Sequence, residues 1–288
     1  MALNLSVFKT RTLSAVIFAT IMLAGLIYSQ WTFLVLFTVI NFGCWWEFNR
    51  LMDKIEPTYH NLPNLLKYMM MLIGFSYMLY MSNPASYPIG KWNLHDIGQY
   101  LLVGLSGLFL LSLVAFYKKI SFNNLLSLLA GFLYISLSWG LMIKLRGRSN
   151  MYEQETTGLI IPIVLIASIW VNDTLAYITG SLFGRRPLSS ISPKKTWEGT
   201  ISGAILAILV ISYGGNTFLG IPFRLLILIS FIAVVMGTLG DLLESKLKRL
   251  AGVKDSGSMM PGHGGFLDRF DSLLLATPYV WLFADMFI

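Results

Sequence analysis

The chain has 288 residues, 56% of them hydrophobic and only 12% charged, with a formal net charge of +7. A soluble domain carries about a quarter charged residues, so the composition excludes an ordinary water-soluble globule and indicates an integral membrane protein. The positive balance does not indicate nucleic-acid binding, because the Lys and Arg residues are spread over short segments between apolar runs, where they orient a membrane chain and meet anionic headgroups. No hydrophilic stretch is long enough for a separate soluble domain. One continuous all-α membrane domain is therefore expected.

Apolar runs able to cross a hydrocarbon core of about 30 Å predict about nine transmembrane helices. They lie near 12–30, 31–49, 66–82, 99–117, 123–143, 158–182, 198–213, 222–245 and 271–287. The first follows Lys9 and Arg11, as the core of a signal peptide would. Its apolar region is too long and has no small-residue cleavage site, so it is read as a span. The second ends in Trp45 and Trp46, read as an interfacial aromatic belt, and then Glu47 and Arg50, whose i,i+3 spacing predicts a local ion pair. The single Cys44 cannot form an internal disulfide and is expected in packing. His60 and His95 have no carboxylate or cysteine company and read as surface residues. Residues 1–150 thus read as a scaffold of spans that face lipid, and residues 151–288 as the part that carries chemistry.

Lys and Arg placement sets the orientation. With a cytoplasmic N-terminus, every Lys and Arg except Lys91, Lys144, Arg146, Arg148 and Arg224 falls on the cytoplasmic side. An odd number of spans then puts the C-terminus outside.

Half of the 14 acidic residues lie between Asp173 and Asp271, several in or against spans, where an ionisable side chain costs at least about 2.5 kcal/mol and is a functional candidate by default. Asp173 shares a helix face with Ala176, Tyr177, Gly180 and Gly184. Gly180/Gly184 and Gly199/Gly203 are G-x-x-x-G pairs, which let helices approach closely and make a homodimer reasonable. The next loop, GRRPLSSISPKKTWEG at 184–199, gathers Arg185, Arg186, Lys194 and Lys195 before a helix start. Ser192-Pro193 reads as its capped entry, and cations beside helix N–H groups suit a triphosphate. The glycine spacing of a Walker A loop is absent.

The stretch 241–271 is the richest. Asp241, Glu244 and Ser245 share one helix face. Lys246, Lys248, Arg249 and Lys254 follow, then the glycines Gly262, Gly264 and Gly265, whose backbone can approach an anion closely. Asp268 and Asp271 flank Arg269. Cations and carboxylates around a glycine loop suit a metal-assisted site for phosphate groups.

SPKKTWEG at 192–199, GDLLESKLKR at 240–249, KD at 254–255 and PGHGGFLDRFD at 261–271 together resemble the signature of the phosphatidate cytidylyltransferases, the CDP-diacylglycerol synthases. The similarity covers about 170–285, with Met260 as a conservative departure. It implies that CTP and phosphatidic acid give CDP-diacylglycerol and pyrophosphate with a divalent metal, in a bacterial inner membrane with a cytoplasmic active site. Under that chemistry Asp241 and Asp268 are expected to hold Mg2+, with Asp271 as a ligand or its partner. Glu244 and Asp173 are weaker candidates for a second cation, divalent or monovalent, or for orienting ligands. Lys194, Lys195, Lys248 and Arg249 would neutralise triphosphate and lipid phosphate, Lys195 within the catalytic set, with Lys254 and Arg269 as further phosphate contacts. His263, Gly264 and Gly265 would close over phosphate, and Ser245 would bond a phosphate oxygen. Two rivals share parts of this pattern: a CTP-dependent kinase of a polyprenol or phytol-like alcohol, and an ion-coupled transporter using Asp173, Asp241 and Asp268.

Overall fold

The structure is a computed structural model that describes residues 5–148, 157–259 and 264–287, with side chains from residue 14 in the first helix and from residue 158 in the seventh. It is nearly all helix. The helices are α1 (Leu5–Ile27), α2 (Gln30–Ile55), α3 (Asn64–Tyr80), α4 (Leu94–Ala115), α5 (Phe122–Gly131), α6 (Leu137–Arg146), α7 (Thr157–Phe183), α8 (Trp197–Leu219), α9 (Phe223–Leu250) and α10 (Leu267–Phe287). A π-helical turn, Phe132–Ser136, joins α5 to α6 without a break. One antiparallel hairpin, β1 (Pro88–Ile89) with β2 (Trp92–Asn93), precedes α4 and turns at Gly90 with φ +62°.

Among the described residues, six helices are long and apolar enough to cross a membrane: Gln30–Ile55, Leu94–Ala115, Phe122–Arg146, Gly158–Phe183, Trp197–Leu219 and Phe223–Leu250. The outward faces agree, since Val103, Leu110, Leu111 and Val114 of α4 are all more than 60% exposed. A surface that apolar is stable in hydrocarbon and not in water. The chain is an integral membrane protein.

The chain divides into two compact units, one formed by Met1–Gly147 with Leu250–Phe270, the other by Arg148–Arg249 with Asp271–Ile288. In the first, α2 is the central element. Ser29 and Thr32 form a reciprocal capping box that starts it. Phe33, Phe37, Cys44 and Trp45 are fully buried along its length. Trp45 is therefore not part of an interfacial belt. Its indole Nε1 donates to Ser136 Oγ at 2.7 Å, because an indole N–H taken into an apolar core must find an acceptor. Gly131 lies against the rings of Phe48 and Trp45, and Gly74 against Ser136. Trp46, the next residue, is exposed.

The second unit is built on a helix pair and two neighbours. Gly199 and Gly203 of α8 face Gly180 and Ala176 of α7, where a Cβ on Gly203 would sit 2.6 Å from the Ala176 Cα. The small residues that suggested a homodimer are thus used inside the chain. Ser202 Oγ adds a 2.8 Å bond to Thr179 Oγ1 across the pair. On another face of α7, Ser168 Oγ donates to Ser230 Oγ of α9 at 3.0 Å. Gly240 of α9 lies against the Asp271 carbonyl, which a Cβ would approach to 2.5 Å.

Replacing Gly203 by Val forces a branched side chain against backbone and should cost roughly 1–3 kcal/mol. A thermal melt in detergent should fall by several degrees. Gly104→Ala on α4, where nothing lies within 4 Å, should leave the melt unchanged or raise it slightly, since it removes a mid-helix glycine worth about 0.5–1 kcal/mol.

Candidate active site

The loop between α7 and α8 is folded onto the helix it precedes. Thr196, not Ser192, is the N-cap, its hydroxyl accepting from Gly199 N. Leu188 N donates to the Lys195 carbonyl at 2.7 Å and Trp197 N to the Arg186 carbonyl at 2.9 Å, closing a short antiparallel bridge from Pro187 to Thr196. Glu198 in the first turn of α8 accepts from two successive amides, Arg185 N at 3.0 Å and Arg186 N at 3.2 Å. The basic loop is therefore tied at both ends, and Lys195 leaves it with a defined direction.

That direction is toward α9. Lys195 Nζ forms an ion pair with Asp241 Oδ2, and Ser245 Oγ lies 3.3 Å from Asp241 Oδ1. The i,i+4 relation read from the sequence is real. One turn on, the fully buried Glu244 pairs with Lys248 at 2.6 Å, which compensates an acid that could not otherwise remain in an apolar setting. Lys195 and Asp241 open on a cavity of about 340 Å³ whose wall also includes Asn172, Asp173, Lys194 and Thr196. Lys194 and Asp173 are exposed on it.

In the other unit the end of the 250–270 segment is equally organised. Ala251 closes α9, and Gly252 takes the left-handed conformation that follows it, with φ +68°. Asp268 Oδ2 accepts from Ser256 N at 2.8 Å, from Ser256 Oγ at 2.9 Å and from Gly265 N at 2.8 Å. Gly264 has φ +84°, where a side chain would be strained. Phe266 and Leu267, the next two residues, are held from a helix read above as scaffold, by Glu47 of α2. The Glu47 carboxylate accepts from Phe266 N at 2.8 Å, Leu267 N at 2.9 Å and Ser256 Oγ at 2.7 Å. The expected local pair with Arg50 is replaced by these loop contacts, and Glu47 is 4% exposed while Arg50 is exposed. Sequence gave a weak signal for it, a carboxylate inside the last apolar turns of a span.

Of the residues singled out from the sequence, Asp173, Lys194, Lys195, Asp241, Glu244, Ser245, Lys248, Arg249 and Asp271 belong to the unit of Arg148–Arg249 and Asp271–Ile288. Lys254, Gly264, Gly265, Asp268 and Arg269 belong to the other. Arg249, Lys254 and Arg269 are exposed. His263 and Gly262 lie outside the described residues. His60 is exposed as expected, while His95 is half-buried with Nδ1 2.5 Å from the Tyr80 carbonyl.

Among the described residues, no three His, Cys, Asp or Glu side chains converge into a metal cage. The cavity wall nevertheless supplies oxygen. Asn172 Oδ1 is buried without a hydrogen-bond partner among the described residues, on the same wall as the Asp173 and Asp241 carboxylates. Mg2+ commonly uses one or two carboxylates and completes its shell with phosphates and water. This sparse, hard donor set fits it, and the Lys195 pair already places a cation against Asp241.

Residues 9–287 match the model of the cytidylyltransferase family. The chain is 31% identical over 278 residues to the phosphatidate cytidylyltransferase of Staphylococcus saprophyticus, covering 94% of this chain and 96% of that protein. It is 43% identical over 138 residues to the phosphatidate cytidylyltransferase of Synechocystis, covering 47% of each. It is also 43% identical over 135 residues to the chloroplastic phosphatidate cytidylyltransferase 4 of Arabidopsis thaliana, covering 44% of this chain and 33% of that one. These last two matches thus take in half or less of the relatives' length. With almost its whole length matched by the family model and by the staphylococcal protein, the chain belongs to the cytidylyltransferase family.

Proposed function

We propose that the chain is a phosphatidate cytidylyltransferase that joins CTP to phosphatidic acid, giving CDP-diacylglycerol and pyrophosphate. The observation that carries this reading is the Lys195–Asp241 pair on the wall of a cavity at the N-terminus of α8. It puts a cation and a carboxylate together at the wall of a cavity within an apolar chain, which suits a metal-bound triphosphate.

An oxygen of the lipid phosphate attacks the α-phosphorus of CTP. The new O–P bond forms as the bond from the α-phosphorus to the bridging oxygen breaks, and pyrophosphate leaves with that electron pair. The nucleophile is already anionic, so the chain need not supply a strong base. Its task is to position and neutralise. Lys194 and Lys195, fixed by the Glu198-tied loop, meet the triphosphate. Lys248, Arg249, Lys254 and Arg269 balance the remaining phosphate charge, and Ser245 with His263 and Gly264 bonds phosphate oxygens, while the Gly265 N–H, expected to do the same, is given to Asp268 instead. Asp241 and Asp271, with Asn172 and Asp173 beside them, supply oxygen ligands for Mg2+, Glu244 orients through Lys248, and the sequence pattern assigns a ligand role to Asp268 as well. A bound Mg2+ would withdraw charge from the phosphate oxygens as a Lewis acid.

Nine spans fit this substrate pair when α1, α3 and α10 are counted with the six helices that are long and apolar enough to cross a membrane. The N-terminus and both basic loops then lie in the cytoplasm of a bacterial inner membrane, where CTP is available, and the lipid arrives laterally with its headgroup at the interface.

The deciding assay supplies purified protein in detergent with phosphatidic acid, labelled CTP and Mg2+. Labelled CDP-diacylglycerol and pyrophosphate are expected, whereas CDP and a phosphorylated alcohol would replace this reading with a lipid kinase. Asp241→Asn and Asp268→Asn should each lower kcat/KM on the order of 100-fold, the scale of losing one electrostatic element of a transition state. Full activity of Asp268→Asn at limiting Mg2+ would remove Asp268 from the ligand set. Lys195→Ala should raise the KM for CTP and lower kcat by roughly tenfold or more, and Lys195→Arg should recover part of the loss, since it keeps the charge and changes its geometry.

A further inference from the structure

Three donors meet the Glu47 carboxylate, and all three come from the segment that ends in Asp268. Leu267 is the first residue of α10, so Glu47 takes an N–H that the helix itself cannot satisfy. Phe266 N is the amide before it. The side chain thus caps α10 from a different helix, and an acid at that end is also favoured by the helix dipole. The fit is close on both sides. A Cβ on Gly257 or Gly265 would overlap the Glu47 carboxylate, and one on Gly43, a turn earlier on α2, would overlap the Phe266 ring. Gly43 and Glu47 stand i,i+4 and form one receiving face, with Gly43 admitting the ring and Glu47 binding the amide of the same residue.

Ser256 links this cap to Asp268. Its hydroxyl lies 2.7 Å from Glu47 Oε2 and 2.9 Å from Asp268 Oδ2, and it also accepts from Asp268 N at 3.3 Å. The hydroxyl has one proton, so it serves one carboxylate at a time while the backbone N–H groups hold both in place. Gly265 N, the third donor to Asp268, is fixed by the Phe266 amide next to it.

We propose that Glu47 is a positioning residue for the reaction: it holds Ser256, Gly265 and Phe266 in place, and through them sets where the Asp268 carboxylate points. The inference rests on the reading of Asp268 as part of the cytidylyl-transfer machinery. It gives the N-terminal spans an indirect part in catalysis, exerted through that segment, although they carry none of the signature residues. Glu47 itself touches no substrate.

The test compares the full-length wild type with Glu47→Gln, Ser256→Ala and the double variant in detergent. Glutamine keeps the size of the side chain but turns an amino group toward backbone N–H donors. Amide exchange at 255–259 and 264–269 should quicken by about tenfold or more in Glu47→Gln, while exchange in the rest of α2 and the melting temperature stay near wild type. The kcat should fall by roughly tenfold to 100-fold with little change in KM for phosphatidic acid, and the Mg2+ concentration giving half-maximal rate should rise, because a displacement near 1 Å costs on that scale. Glu47→Gln and Ser256→Ala should be markedly less than additive in kcat. Unchanged exchange at 255–259 and 264–269, full additivity, or loosening that extends over α2 with a fallen melting temperature would each overturn the proposal, the last by making Glu47 a general packing residue. If the wild type turned over no CTP, the functional reading would fall, and the exchange comparison would still decide whether Glu47 orders the loop.

Discussion

A carboxylate in an apolar helix has to be matched by donors, and much of the architecture follows from meeting that demand. Burying an unpaired carboxylate costs several kcal/mol. In one unit the demand is met by cations, Lys195 on Asp241 and Lys248 on Glu244. In the other, Glu47 is met by two backbone amides and a hydroxyl. The difference has chemical content. A lysine can be exchanged for another cation or can turn to a phosphate, so Asp241 stays available to chemistry. Backbone amides cannot leave without unfolding the loop, so Glu47 is committed to structure.

Both loops that carry the sequence signature are fixed by one device, a glutamate accepting from two successive backbone amides. Glu198 takes those of Arg185 and Arg186, and Glu47 takes those of Phe266 and Leu267. Each grips the chain beside a glycine, Gly184 in one case and Gly265 in the other. There the main chain comes close enough to be held: a Cβ on Gly184 would overlap the Gly180 carbonyl, and one on Gly265 the Glu47 carboxylate. Glycine-rich phosphate loops are often discussed for what they offer the ligand. Here the glycines are equally needed on the protein side, where a side chain would push the loop off its anchor.

Much of this was legible in the sequence, for identifiable reasons. Helix positions followed from apolar run length, since a helix lies on each expected run, but several continue five to seven residues past the expected ends, such as α1 from Leu5, α2 to Ile55 and α8 to Leu219, because a helix can run on beyond the apolar stretch. The face shared by Asp241 and Ser245, the close approach of the two G-x-x-x-G pairs and the basic loop before α8 are all local in sequence, and all are present. What was missed is non-local. Trp45 looked like a belt residue beside Trp46, and only the distant Ser136 and Gly74 make it a core residue. Glu47 looked like half of a local pair with Arg50, since its partners lie 209 to 220 residues away. Thr196 outcompeted Ser192 as the cap because the loop closes on itself through Glu198, a contact that spacing alone does not announce.

That separation between Glu47 and its donors bears on how the protein is made. Synthesis runs from the N-terminus, so α2 enters the bilayer well before residues 256–267 exist. Throughout that interval its carboxylate must stay hydrated at the membrane surface or draw on water and headgroups. The capped arrangement can close only after residues 256–267 have left the ribosome. Contacts of such high sequence separation form late and slowly. α2 is therefore inserted well before its carboxylate is capped, and the segment that completes it is the one bearing Asp268.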